Sequence, residues 1–206
     1  MTTTLILTRH GHVEGIAPER FRGRADLALT ELGVRQAEAL RNRIVEGAWR
    51  PVAVYASPMR RAMHTGEILA APFAGSVEAV HALNDIDYGS WQGWTPDEVR
   101  AQWPDELALW YRAPHLVAVP DGESLQDIAA RGAAALRDIL RRHAGESAVV
   151  VGHDSLNRVL LLHALDLPLS RYWSITQAPC TLNVIEFDGE RLFVRTLNET
   201  HHLSLH

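Results

Sequence analysis

Short apolar runs suited to strands alternate with helix-period stretches along nearly the whole chain, and that rhythm leaves few folds open. Residues 3–8, 52–56, 77–83 and 148–151 read as strands, and 30–47, 58–70, 124–143 and 154–165 as helices. Ala37, Leu40 and Ile44 keep helical spacing in the first helix, as do Leu125, Ile128, Leu136, Ile139 and Leu140 in the third, which Ser124 and Asp127 open. Repeated strand–helix units predict an α/β fold, a three-layer α/β/α sandwich around a mostly parallel central sheet. Asp188-Gly189 between 181–187 and 191–197 predicts a closing hairpin, whose free edge leaves a homodimer open as an expectation. The Trp- and Pro-rich stretch 91–120 breaks the rhythm. With Thr95-Pro96-Asp97-Glu98 as a capping box it predicts short helices over 95–112. We expect residues 1–206 to be a single domain in which 91–120 is a small helical cap insertion.

Side-chain inventory removes several chemistries. All twenty basic residues are arginine. A chain without lysine forms no Schiff base, holds no pyridoxal phosphate and builds neither a Walker P-loop nor a kinase-type phosphate site. Neither CxxC nor HExxH occurs, so no metal and no cofactor are expected. Arginine is instead the side chain for forked recognition of carboxylate and phosphate. A net charge of −5 argues against nucleic acid as a partner. One cysteine, Cys180, allows no internal disulfide and reads as a small buried hydrophobe. The first residues lack the basic and long apolar regions of a signal peptide, and no apolar run approaches the ~18–20 residues that span a bilayer. The expected setting is cytoplasmic, away from membranes.

Open parallel sheets bind ligands beyond the carboxyl ends of their strands. Following the four apolar runs come Arg9-His10-Gly11-His12, Ser57-Pro58-Met59-Arg60-Arg61, Asn84-Asp85-Ile86-Asp87-Tyr88-Gly89 and Gly152-His153-Asp154-Ser155. Two histidines, two or more arginines and a carboxyl group then face one crevice, with glycines expected to let a ligand approach the backbone. Arginine forks suit a phosphoryl group, a neutral imidazole can attack phosphorus, and an alkoxide leaving group needs a proton from a carboxyl group kept protonated by its surroundings. His12 next to His10, and His201-His202, are discounted as metal pairs for want of a third ligand. His202 either folds back over the pocket or lies in a disordered tail.

These residues resemble the histidine phosphatase superfamily, in its phosphoglycerate-mutase-like branch. The resemblance rests on Arg9-His10-Gly11, on Arg22-Gly23-x-x-Asp26-x-x-Leu29-Thr30-x-x-Gly33-x-x-Gln36-Ala37, on Ser57-Pro58-x-x-Arg61-Ala62-x-x-Thr65, on Tyr88-Gly89-x-Trp91-x-Gly93 and on Gly152-His153, in that order. It implies a metal-independent phosphomonoester hydrolase acting on a small phosphorylated metabolite such as phosphoserine, a phosphoglycerate, a sugar phosphate or α-ribazole phosphate. His10 would be phosphorylated, Arg9, Arg61 and His153 would hold the phosphate, and Arg22, Gly23 and Asp154 would meet the substrate. Asp154 or Ser155 is expected to cap the helix that follows. Three positions depart from the pattern. Asp85 stands where the family has its proton-donor glutamate, shorter by on the order of 1 Å, so either the chain shifts inward, a water relays the proton, or Asp87 or another acid substitutes. His12 and Ile16 replace other residues after the first block, and Arg22 replaces a glutamine. Two rival functions remain: mutase-type phosphoryl transfer, disfavoured by the short span between Gly93 and Glu123, and a phospho-ligand binding protein with little turnover.

Overall fold

The computed structural model describes residues 1–47, 49–73 and 75–205. Its elements are β1 (Thr3–Arg9), α1 (Glu31–Glu46), β2 (Pro51–Ala56), α2 (Arg60–Ala70), β3 (Glu78–Ala79), α3 (Pro96–Gln102), α4 (Pro104–Arg112), α5 (Leu125–Arg142), β4 (Ser147–Gly152), α6 (Asp154–Ala164), β5 (Leu182–Phe187) and β6 (Leu192–Glu199). The sheet has six strands in the order β3-β2-β4-β1-β5-β6. β1, β2, β3 and β4 run parallel, while β5 and β6 form the expected hairpin and add antiparallel to β1.

Alternation along the central strands separates two apolar layers. Leu5, Leu7, Tyr55, Ala148 and Val150 face a cluster built with α5 and α6, whereas Ile6, Val54, Ala56, Val149 and Val151 face α1 and α2. Both faces of the sheet are therefore covered, which is why these strands read as continuous apolar runs. Helix starts follow local chemistry: Thr30 caps α1 through Gly33 N–H, and Thr95 and Ser124 form reciprocal boxes with Glu98 and Asp127. Such a cap contributes about 1 kcal/mol. Residues 91–120 fold as α3, α4 and a 3₁₀ turn at Pro114–Leu116. Their Trp91, Val99, Leu107, Trp110, Val117 and Val119 enter the same cluster as α5 and α6.

Three expectations are corrected. The run 77–83 pairs as a strand only over Glu78–Ala79; it then leaves the sheet, and His81–Leu83 form a 3₁₀ turn. Leu83 is buried from that turn instead of from a strand, so the apolar pattern reported burial and not pairing. Gly11 serves backbone packing: a Cβ there would sit 2.4 Å from the Gly33 carbonyl oxygen, because the exit of β1 presses on the start of α1. His202 neither covers the pocket nor lies free. It is buried, with Nε2 2.9 Å from the Cys180 carbonyl and Nδ1 3.3 Å from Glu199 Oε1. Among the described residues no helix is long and apolar enough to cross a membrane.

Candidate active site

Strand register sets the site. Arg9 pairs with Gly152 at the ends of β1 and β4, so the next residues, His10 and His153, emerge side by side with ring centroids 5.1 Å apart. His10 N–H donates to Gly152 O and Ser57 N–H to Val151 O, which brings the β2 exit to the same edge. Arg61, one residue into α2, reaches back from there.

His10 has a defined orientation. Its Nδ1 lies 2.7 Å from the Gly11 carbonyl, and its Nε2 accepts from Arg61 Nε at 3.1 Å. A carbonyl needs a donor and an N–H needs an acceptor, so the proton sits on Nδ1 and the lone pair on Nε2. Thr65 Oγ1 steadies the turn by accepting from Gly11 N–H while donating to Arg61 O. Arg61 is wholly buried; its Nη1 donates to Ala25 O and its Nη2 to Gly23 O, both at 2.7 Å. Asp85 Oδ2 stands 3.5 Å from Arg61 Nη2 and 3.8 Å from His153 Nδ1. The second distance is too long for a hydrogen bond.

Several buried polar atoms around this point have no protein partner: Arg9 Nε, both ring nitrogens of His153, and Asp154 Oδ1. Native interiors rarely leave such groups unpaired without a ligand or water in view. Arg9 is otherwise anchored by Nη1 donating to Gln177 O at 2.7 Å, with Asp154 Oδ1 3.7 Å away. The first turn of α6 begins just past His153 and adds unpaired backbone N–H groups and the positive end of a helix dipole. Asp154 does not cap that helix, and neither does Ser155. His153 holds the cap position without a side-chain bond, Asp154 pairs with Arg158 at 3.1 Å, and Ser155 Oγ accepts from the Tyr172 hydroxyl at 2.9 Å.

His10 is itself 2 % exposed, and two openings are lined by its neighbours Arg9 and Asp85. One, of about 370 Å³, is lined by Arg9, Glu19, Arg22, Asp154, Arg158 and Gln177 among others. The narrower one, about 110 Å³, reaches Asp85, Gly23, Tyr88, Trp110 and Trp173. Arg22 and Asp154 border both, and Gly23 contributes its carbonyl to Arg61. The structure thus brings Arg9, His10, Arg22, Gly23, Arg61, Asp85, His153 and Asp154 into one region, while His12 bonds Thr30 Oγ1 and His202 lies on the Cys180 carbonyl. Arg158, Trp173 and Gln177 were missed. The i, i+4 spacing of Asp154 and Arg158 on a helix was a usable signal for the first; Trp173 comes from the 3₁₀ helix Leu169–Ser174 and Gln177 from the loop after it. Among the described residues no three potential ligands gather closely enough to hold a metal ion.

Burial, and then the neighbouring His153, Arg61 and Arg9, hold the His10 imidazole well below its ordinary 6.5. Burial, Arg61 and Arg9 do the same for His153. Burial raises the Asp85 carboxyl, against the pull of Arg61. Below about pH 6.5 the unfolded chain protonates imidazoles that the folded chain keeps neutral, so stability falls as pH falls. Each such histidine adds up to about 1.4 kcal/mol per pH unit. Asp85 acts with the opposite sign, its contribution being lost as pH rises through the folded value. We expect urea titrations at pH 7 and pH 5 to show a shallower loss for His10→Asn than for the wild type; an unchanged slope would contradict a neutral buried His10.

Comparison with known proteins follows this geometry. Residues 5–200 match the family model of the histidine phosphatase superfamily (branch 1). Phosphoserine phosphatase 1 of Hydrogenobacter thermophilus is 30% identical over 199 residues, 97% of this chain and 93% of that protein. The 2,3-bisphosphoglycerate-dependent phosphoglycerate mutase of Sinorhizobium fredii is 36% identical over 167 residues, 79% of each. Among solved structures, Bacillus stearothermophilus YhfR superposes with a TM-score of 0.92 at 33% identity, covering 98% of this chain and 99% of that one.

Proposed function

The chain belongs to the histidine phosphatase superfamily, and from that premise we propose that it hydrolyses small phosphomonoesters through a phosphohistidine on His10 Nε2. The observation that carries this is the set of unpaired polar atoms, Arg9 Nε and both His153 nitrogens, gathered beside an imidazole whose lone pair rests only on an arginine N–H. An arriving phosphoryl group takes that N–H for one of its oxygens and receives Nε2 at phosphorus. The N–P bond forms as the ester P–O bond breaks, and Asp85 gives its proton to the leaving alkoxide. Water then attacks the phosphohistidine, Asp85 takes back a proton, and the N–P bond breaks to release inorganic phosphate. Arg9, Arg61, His153 and the start of α6 stabilise the phosphoryl charge without a metal. Asp87 is not the acid. Its Oδ1 accepts from Gly89 N–H at 2.9 Å and its Oδ2 faces Arg24 at 3.6 Å, so it is committed to the turn.

The substrate is of phosphoserine type. A wide opening that carries Arg22 and Arg158 beside Glu19 and Asp154 suits a zwitterion better than a purely anionic tail, and the H. thermophilus relative bears that name. The cap, residues 91–120, adds Trp110 to the narrow opening and helps select the alcohol. Mutase-type transfer is the second reading, favoured by the identity to the S. fredii protein, although that match omits about a fifth of this chain. A phosphomonoester panel in EDTA distinguishes them. We expect phosphate release from O-phosphoserine at an undiminished rate with no bisphosphoglycerate present. Loss on chelation contradicts the arginine-only charge scheme, and isomerisation of phosphoglycerate without net phosphate release supports the mutase.

A further inference from the structure

Asp85 sits on main chain that the sheet does not hold. β3 ends at Ala79, and the segment beyond it turns away before delivering the carboxyl group to the site. Arg131 of α5 grips that segment from behind. Its Nη1 donates to the carbonyls of Ala82 (2.8 Å) and Asn84 (2.6 Å), and its Nη2 to the carbonyl of Asp85 itself (3.0 Å). Nε and Nη2 also donate, each at 2.9 Å, to the two carboxylate oxygens of Glu123. All five N–H donors of the guanidinium are thereby in use. Glu123 closes the clamp at the far end, accepting from Asp87 N–H at 2.9 Å and pairing with Arg24 at 3.2 Å. Ser57 Oγ adds a tie from the β2 exit to Asn84 Oδ1 at 2.9 Å. The clamp's hydrogen bonds to the segment all go to main-chain atoms, whereas Asp85 Oδ2 faces Arg61 and His153.

We propose that Arg131 and Glu123 are positioning residues which hold the Asp85 main chain inward, so that an aspartate reaches the leaving group where a glutamate's extra methylene would otherwise be needed. The inference rests on Asp85 being the proton donor. Its consequence is selective in the first step, because a misplaced acid slows phosphoryl transfer to His10 only from esters whose leaving group needs a proton, whereas hydrolysis of the phosphohistidine is common to all esters. Misplacement by about 1 Å costs on the order of 10²-fold in rate. Lysine has three donors and no fork, so it cannot replace Arg131 here.

The experiment measures KM and the single-turnover rate of His10 phosphorylation for O-phosphoserine and for p-nitrophenyl phosphate, whose phenolate departs without a proton. The proteins are wild type, Arg131→Lys and Glu123→Gln, each with Asp85 or with Asp85→Asn. We expect either clamp variant to lose about 30- to 100-fold in the phosphorylation rate on O-phosphoserine and only a few-fold on the aryl ester. KM should be unchanged, and the clamp variants should cause no further loss once Asp85 is asparagine. Glu123→Gln keeps its size and probes the clamp from the other side should Arg131→Lys fold poorly. Equal losses on both esters, or losses that persist in the Asp85→Asn background, would show a merely structural clamp and overturn the inference. If Asp85→Asn itself leaves the ratio of the two esters unchanged, the proton-donor assignment fails and the inference falls with it; if Asp85→Asn lowers the ratio but neither clamp variant does, only the inference fails.

Discussion

His10→Ala leaves a folded protein that binds phosphate esters but turns them over slower by on the order of 10⁴- to 10⁶-fold, the scale seen when a covalent nucleophile is removed. Among the described residues at the anion site, His10 is the imidazole whose tautomer is fixed from both sides, which leaves the lone pair on Nε2 against Arg61 Nε. His10 Nδ1 is occupied by the Gly11 carbonyl, whereas neither His153 nitrogen has a hydrogen bond to fix its tautomer, Asp85 Oδ2 lying 3.8 Å from its Nδ1. Arg9, Arg61 and the start of α6 survive the substitution, so KM or a phosphate dissociation constant should move little. Loss of the imidazole also removes the acceptor of Arg61 Nε, yet Gly23 O and Ala25 O still hold that guanidinium in place. A variant with kcat within tenfold of wild type would remove His10 from the chemistry.

Asp85→Asn is the second large effect, and its size depends on the ester. General acid catalysis by a placed side chain is worth about 10²- to 10⁴-fold. On O-phosphoserine the departing serine alkoxide is a strong base, so we expect kcat to fall by roughly 10³-fold with KM nearly unchanged. An aryl ester should be far less affected in its first step. The carboxyl's position explains why it can donate: burial raises it toward the protonated form, while Arg61 at 3.5 Å prevents that shift from becoming extreme. The pH profile follows with a determined sign. Activity needs His10 neutral, which its lowered value ensures down to acidic pH, and Asp85 protonated, which fails as pH rises. The wild-type alkaline limb should disappear in Asp85→Asn. Persistence of the same limb would assign it to another group.

Much of this site could be read from residue order because it is made at strand ends. Apolar runs place β1, β2 and β4, and parallel pairing then fixes which turns are neighbours, so Arg9-His10, Arg61 and His153 meet for reasons visible in the chain. What escaped the sequence depends on tertiary contact. The run 77–83 has strand-like composition, but β2 ends at Ala56 and offers no further ladder, so Leu83 finds its burial through a 3₁₀ turn. Gly11 packs on the Gly33 carbonyl, a close approach that nothing local in the sequence reveals. Asp154 looks like a cap residue, yet Arg158 and Arg9 draw its carboxylate away from the backbone. Arg131 resembles any arginine on an amphipathic helix; its partners are three carbonyls nearly fifty residues earlier, and main-chain acceptors leave no mark on composition.

The most direct measurement is to stop turnover of phosphate-labelled O-phosphoserine in alkali within one catalytic cycle and map the bound label by peptide. The label should be alkali-stable and acid-labile, reach one equivalent per chain at most, and reside on Nε2 of His10. Steady turnover with no covalent phosphate on that ring, or with phosphate on Nδ1 or on another side chain, would contradict the mechanism at its first step.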